Sequence, residues 1–141
     1  MRILLDANVL ISYLLSPTPT RAVAQVVELA FTDDVELVLA KELVDETTRS
    51  ITSSPYLRSR IPLQQINAFL VRLLDNALIP TELAKQEWAV RDPKDRYLLT
   101  YAVNYAVDFL ITGDKDLLVL GQVENVRILT PAQFLDLYPQ R

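Results

Sequence analysis

The sequence predicts an α/β protein, a three-layer α/β/α sandwich built on a central, mainly parallel sheet of about five strands. Three observations carry this expectation. Short apolar runs closed by polar or turn residues recur along the chain, as buried strands do. Segments with apolar residues at helical spacing separate them. Strands separated by helices pair in parallel through right-handed crossovers. The 141 residues contain no internal repeat, low-complexity tract or linker and are read as one domain, 1–141. A chain of this length buries roughly 68–70% of its unfolded surface.

Taken in order, Arg2–Asp6 is an apolar run ending in an acid and suits a buried strand. Asn8–Leu15 is apolar until Ser16-Pro17-Thr18-Pro19 breaks it. Thr20–Phe31 places Val23, Val26, Val27 and Ala30 at helical spacing, and Asp33-Asp34 closes it. Val35–Leu39 is a second strand. Ala40–Ser53 is a helix with Leu43, Val44, Thr47 and Ile51 on one stripe, and Ser53–Arg60 reads as a loop. Pro62–Ala77 is a helix that uses Pro62 in its first turn, where a missing N–H costs nothing. Its Leu70, Leu73 and Leu74 face either the core or a second subunit. Leu78-Ile79-Pro80 is a short strand, Asp95–Ala106 a helix, Phe109–Thr112 and Val126–Leu129 strands, and Pro131–Tyr138 a last short helix.

Composition excludes several chemistries. The chain has no cysteine, hence no disulfide, thiolate nucleophile or thiolate metal site. Having no histidine, it lacks an imidazole base, a Ser-His-Asp triad and His-ligated zinc. Two glycines, Gly113 and Gly121, cannot make a glycine-rich phosphate loop. Catalysis would therefore rest on carboxylates, amines, hydroxyls or a cation held by oxygen ligands, which points to magnesium or manganese. The net charge of −4 disfavours nucleic acid, but ten of the 14 basic residues are arginine, the better phosphate ligand. Four carboxylates committed to cations would leave the remainder neutral. With no apolar run of membrane-spanning length and no signal peptide, a cytoplasmic protein without a membrane partner is expected.

In an open parallel sheet, ligands bind beyond the carboxyl ends of the strands. Asp6 ends the first strand there and Asp114 follows the Phe109–Thr112 strand. Asp92-Pro93-Lys94-Asp95 opens the helix leading into that strand, and Glu46 borders the buried stripe of the Ala40–Ser53 helix. Each acid also has a structural reading. Asp92 and Asp95 suit a helix start, Asp114 and Asp116 suit a turn and cap, and Glu46 suits a solvated helix face. Asp6 resists this treatment, because a carboxylate at the end of Ile3-Leu4-Leu5 is costly to bury unless hydrogen-bonded or bound to a cation. Together, clustered acids repel one another unless a divalent cation neutralises them. Such a cluster suits metal-assisted phosphodiester hydrolysis.

Leu4-Leu5-Asp6-Ala7-Asn8-Val9-Leu10-Ile11-Ser12 resembles the first motif of PIN-domain nucleases. Asp92-Pro93-Lys94-Asp95-Arg96-Tyr97-Leu98-Leu99 resembles their third, and Thr112-Gly113-Asp114-Lys115-Asp116 their fourth. Leu39–Glu46 resembles the helix bearing the family acid, and Ile128–Leu135 resembles the end of a subgroup of toxins from toxin–antitoxin pairs. The resemblance runs from residue 1 to about residue 136. It implies an Mg2+- or Mn2+-dependent endoribonuclease acting on single-stranded or structured RNA, with one or two ions per site. A cognate antitoxin protein and a homodimer are the implied partners.

By the same resemblance, Asp6, Glu46, Asp95 and Asp114 are the expected catalytic and metal-binding acids, and Asp116 is an additional one. Asp6, Asp95 and Asp114 would hold the first ion, while Glu46 with Asp116 would complete a second site or position the attacking water. Asn8, Thr112 and Asp92 would support the site. Glu42 and Asp45 compete with Glu46 for the helix acid. Arg49, Arg58, Arg60 and Arg96 are candidate RNA contacts, against a reading as solvated surface. The alternative function is a catalytically silent PIN-like module that binds RNA or protein. A phosphatase would need Asp-x-Asp-x-Thr where Asp6-Ala7-Asn8-Val9-Leu10 stands. A receiver domain would need a strand-borne lysine before Lys115.

Overall fold

The computed structural model describes residues 1–80 and 93–138, and of 93–95 the backbone alone. In chain order the elements are β1 (Arg2–Leu5), α1 (Ala7–Leu15), α2 (Ala22–Leu29), β2 (Glu36–Val38), α3 (Lys41–Ser53), α4 (Pro55–Arg60) and α5 (Leu63–Asn76). Then come β3 (Ala77–Leu78), α6 (Pro93–Asn104), β4 (Phe109–Ile111), α7 (Lys115–Leu118), β5 (Gln122–Val123), β6 (Val126–Leu129) and α8 (Pro131–Leu137). The sheet order is β3-β2-β1-β4-β6-β5, with every pairing parallel except β5–β6.

The sheet is therefore the expected parallel one, enlarged by a sixth strand. That strand is two residues long and antiparallel, and it follows Gly121, whose φ of 69° reverses the chain after α7. A run so short offers no periodicity to read. The Ser53–Arg60 segment, expected as a loop, is the helix α4. Ser54 accepts a hydrogen bond from the Leu57 N–H at 3.2 Å, and Pro55 occupies the first helical position. The expected strand at Leu78-Ile79-Pro80 begins one residue earlier, at Ala77, and ends at Leu78.

Successive residues Ile3, Leu4 and Leu5 are all buried, as are Leu37, Val38, Leu110 and Ile111. Side chains alternate between the two faces of a strand, so both faces of this sheet are covered, as a three-layer sandwich requires. Of the expected stripe on α3, Leu43, Thr47 and Ile51 are buried and Val44 is half-buried. Thr47 satisfies its hydroxyl within the helix, donating to the Leu43 carbonyl at 2.8 Å. At the C-terminus, Thr130 and Gln133 form a reciprocal capping box that starts α8. This seats Phe134 in the core against Phe109, with ring centroids 5.4 Å apart. Of the α5 leucines, Leu73 is buried and Leu70 is partly so, while Leu74 is exposed along with Leu63 and Val71.

Candidate active site

The site begins with two neighbouring strands. β1 and β4 pair in register, Leu5 opposite Ile111, so the next residues, Asp6 and Thr112, leave the sheet side by side at its carboxyl edge. Backbone bonds hold both in place: the Asp6 N–H donates to the Ile111 carbonyl at 3.0 Å and the Thr112 N–H to the Leu129 carbonyl at 2.9 Å. The strand order reverses at this point. From β1 the chain builds β2 and β3 to one side, then β4, β6 and β5 to the other. Crevices for ligands open at such a switch.

A chain of hydrogen bonds leads outward from there. Thr112 Oγ1 donates to Asp6 Oδ2 at 2.8 Å and accepts the Asp114 N–H at 2.9 Å. Asp114 Oδ1 then accepts the Asp116 N–H at 2.9 Å and caps α7. Asp6 is only 6% exposed, Asp114 is half-buried and Asp116 is exposed. Burial pushes the Asp6 carboxyl above its ordinary pKa. The Thr112 hydroxyl and the Ala7 N–H pull it back, and the charges of Glu46 and Asp114 push it up again, with a net rise. A carboxylate in that position gains from a nearby cation.

Of the three acids on α3, Glu46 is the one whose charge Asp6 feels. It is half-buried, and its Oε2 accepts a 2.8 Å hydrogen bond from the Tyr97 hydroxyl. Glu42 accepts from the Tyr101 hydroxyl, and Asp45 is exposed. Tyr97 and Tyr101 were not foreseen. They lie four residues apart on α6, as Glu42 and Glu46 do on α3, so the two pairs form adjacent rungs between the helices. The two tyrosine rings meet edge to face with centroids 6.0 Å apart. Burial first, and then the partner carboxylates, hold both phenols protonated well above the ordinary tyrosine pKa. The matching four-residue spacings are visible in the sequence. What the sequence lacks is the fact that α3 and α6 touch.

Asp95 lies in the first turn of α6, and its side chain, like all of Asp92, lies outside the described residues. Asn8 is exposed in the first turn of α1. Arg49, Arg58, Arg60 and Arg96 are exposed. Arg60 folds onto its own helix, with its guanidinium 3.6 Å from the Tyr56 ring centroid and donating to the Tyr56 carbonyl at 3.1 Å. A groove of about 350 Å³ beside α2, lined by Pro17, Pro19, Gln25 and Leu29, is bordered by none of these acids.

The donor set is all oxygen, which suits magnesium or manganese rather than a soft metal. Among the described residues, no three acids stand close enough together to hold an ion by themselves. The expected set thus depends on Asp95, the ligand that α6 would add.

A buried acid at the switch point of a mainly parallel sheet, with Glu46 on α3 and Asp114 after β4 acting on its charge, marks an α/β fold. The chain belongs to the PIN-domain family, whose model matches residues 2–116, from β1 through Asp116. Solved structures share the fold. A chain of VapBC2 from Rickettsia felis, crystallised bound to a DNA fragment from the promoter, superposes with a TM-score of 0.57. It is 13% identical, and the match covers 91% of this chain and 97% of that one. A chain of FitAcB from Neisseria gonorrhoeae gives a TM-score of 0.56 at 20% identity, covering 92% and 98%. A search of curated proteins finds no match. Among the described residues, no helix is long and apolar enough to cross a membrane.

Proposed function

We propose that this PIN domain is an Mg2+- or Mn2+-dependent endoribonuclease acting on single-stranded or structured RNA in the cytoplasm, as the toxin of a toxin–antitoxin pair. The observation that carries the reading is the state of Asp6. It is a carboxylate 6% exposed at the sheet's switch point, held by Thr112 and facing the charges of Glu46 and Asp114. A fold does not retain such an arrangement for stability, because buried like charges weaken it. A cation makes sense of it.

Asp6, Asp95 and Asp114 would hold the first ion. When bound, it would supply a water of lowered pKa and stabilise charge on the displaced oxygen. The protein's own part is to present the oxygens. The sheet fixes Asp6, the Thr112 hydroxyl fixes its Oδ2, and the cap of α7 fixes Asp114. Glu46, with Asp116, would complete a second site or orient the attacking water. Arg49, Arg58, Arg60 and Arg96 would contact the RNA backbone. Residues 47–74 hold four arginines and no acid, in a chain whose net charge is −4, which favours that side of the molecule for an anionic strand.

The likeness to chains of VapBC2 and FitAcB supports a separate antitoxin chain as partner. The exposed Leu63, Val71 and Leu74 on α5 suit a homodimer contact.

The test is cleavage of labelled single-stranded RNA by the purified chain with Mn2+, with EDTA, and by Asp114→Asn, alongside Mn2+ calorimetry. Cleavage that needs Mn2+ and is lost in the variant supports the nuclease. A metal effect that survives in the variant marks a contaminant. Neither cleavage nor Mn2+ binding would sink the enzyme and leave a binding module in its place.

A further inference from the structure

We propose that Tyr56 on α4 is a stacking platform for a base of single-stranded RNA, with Arg60 bracing its ring. The proposal rests on the nuclease reading above and adds to it a contact with a base rather than with a phosphate. The Tyr56 ring is 57% exposed, although the Arg60 guanidinium lies 3.6 Å from its centroid and covers one face. The same guanidinium donates to the Tyr56 carbonyl at 3.1 Å and to the Ser59 hydroxyl at 3.2 Å. Arg60 is thus tied to α4 itself, and the ring beneath it is held before any ligand arrives. The helix is fixed in turn. Ser54 caps its start, Leu57 packs against the core, and Ile61 at its end is buried. The fold therefore turns Leu57 inward and leaves its aromatic neighbour in solvent, where the ring gains little from burial.

Charge selects the occupant. Tyr56 stands within residues 47–74, which hold four arginines and no acid, and Arg58 and Arg60 are exposed on its own helix. Ser54 alone separates α4 from α3, the helix that carries Glu46 and Arg49, so the basic stretch begins beside a proposed site acid. Proteins that bind single strands combine a cationic track for the backbone with aromatic faces on which bases stack. Phosphates account for the arginines of this stretch but not for the tyrosine among them, and a base accounts for both. Every base has a π face, so a platform of this kind adds affinity without choosing a sequence.

The experiment compares the full chain with Tyr56→Ala, Tyr56→Phe and Arg58→Ala. Fluorescence anisotropy in EDTA, over a salt series, follows binding of a labelled single-stranded RNA and of an abasic strand of equal length. Cleavage in Mn2+ gives kcat and KM, and thermal melting reports folding. Tyr56→Ala should bind the RNA roughly 5- to 150-fold more weakly, the worth of one stacked base, and the abasic strand as the parent does. Its salt slope should hold because no charge is lost, and KM should rise while kcat holds. Tyr56→Phe keeps the ring and should restore the affinity. Arg58→Ala should instead lower the salt slope by about 0.7. If Tyr56→Ala weakens binding of both strands alike, stacking is overturned while the RNA reading stands. If it binds RNA as tightly as the parent, the platform is likewise overturned and the exposed ring is left to a protein partner. If the parent neither binds RNA nor cleaves it, the RNA reading fails and takes the platform with it.

Discussion

Thr112 and Asp6, 106 positions apart in the chain, share a 2.8 Å hydrogen bond in the buried floor of the sheet's carboxyl edge. The same hydroxyl oxygen accepts the Asp114 N–H, so one side chain serves two acids. Thr112→Val keeps the shape and removes both bonds. Leaving buried polar groups without partners costs about 1–3 kcal/mol, and urea unfolding at pH 7 should show a loss in that range. An unchanged midpoint would mean that the hydroxyl does not hold the carboxylate.

Asp6 has a folded pKa raised chiefly by burial, then by Glu46 and Asp114. A raised acid stabilises the fold below its unfolded pKa and loses that contribution as pH rises through the folded value. In the metal-free protein, Asp6→Asn should therefore melt above the parent at pH 7. The gap should narrow as pH falls through the raised folded pKa of Asp6, where the parent's carboxyl takes up its proton. The gain in stability comes with loss of the proposed function. Melting curves across pH 3.5–8 in EDTA decide the matter, and a variant less stable than the parent at pH 7 would contradict the assignment.

Glu28 shows the opposite sign. Burial raises its pKa, but the Tyr13 hydroxyl at 2.6 Å and the Arg72 guanidinium at 3.0 Å outweigh that and lower it. This cluster ties α1, α2 and α5 together, and Arg72 also covers the Phe31 ring at 3.7 Å. A lowered acid stabilises the fold above its unfolded pKa and stops doing so as pH falls through the folded value. Because the pair is about half exposed, Glu28→Gln should cost under about 1 kcal/mol at pH 7. That difference should shrink below about pH 4. Paired denaturation curves at pH 7 and pH 3.5 test the sign, and a penalty that grows on acidification would refute it.

Much of this architecture was legible because its elements are locally consistent. Arg2–Leu5, Glu36–Val38, Phe109–Ile111 and Val126–Leu129 are short apolar runs with clear ends, and the Leu43, Thr47 and Ile51 stripe predicts the buried face of α3. Elements of a single turn were not legible. α7 and β5 are too short for any period, and α4 was hidden because Ser54-Pro55 signals a loop as readily as a helix start. Asp6 announced itself by the cost of burying a charge. The choice among Glu42, Asp45 and Glu46 could not be made from spacing, since three acids in five residues cover most of the helix circumference. Their separation depends on the helix that crosses them, which supplies Tyr97 to Glu46 and Tyr101 to Glu42.

The arginines of the acid-free stretch differ in what they are committed to, and RNA binding should reflect it. Arg72 is engaged by Glu28 and Arg60 lies over Tyr56, whereas Arg49 and Arg58 are exposed on α3 and α4. For single-stranded nucleic acid, each phosphate contact contributes about 0.7 to the slope of log affinity against log salt. Replacing Arg49 and Arg58 together with alanine should therefore lower that slope by about 1.4 and weaken binding uniformly across RNA sequences. Arg60→Ala should do both, lowering the slope by about 0.7 and removing a cation stacked on Tyr56, which costs about 0.5–1 kcal/mol of local stability. Fluorescence anisotropy over a salt series, in the Asp114→Asn background proposed to abolish cleavage, measures the slope. A double variant whose slope equals that of its background would move the RNA path off α3 and α4.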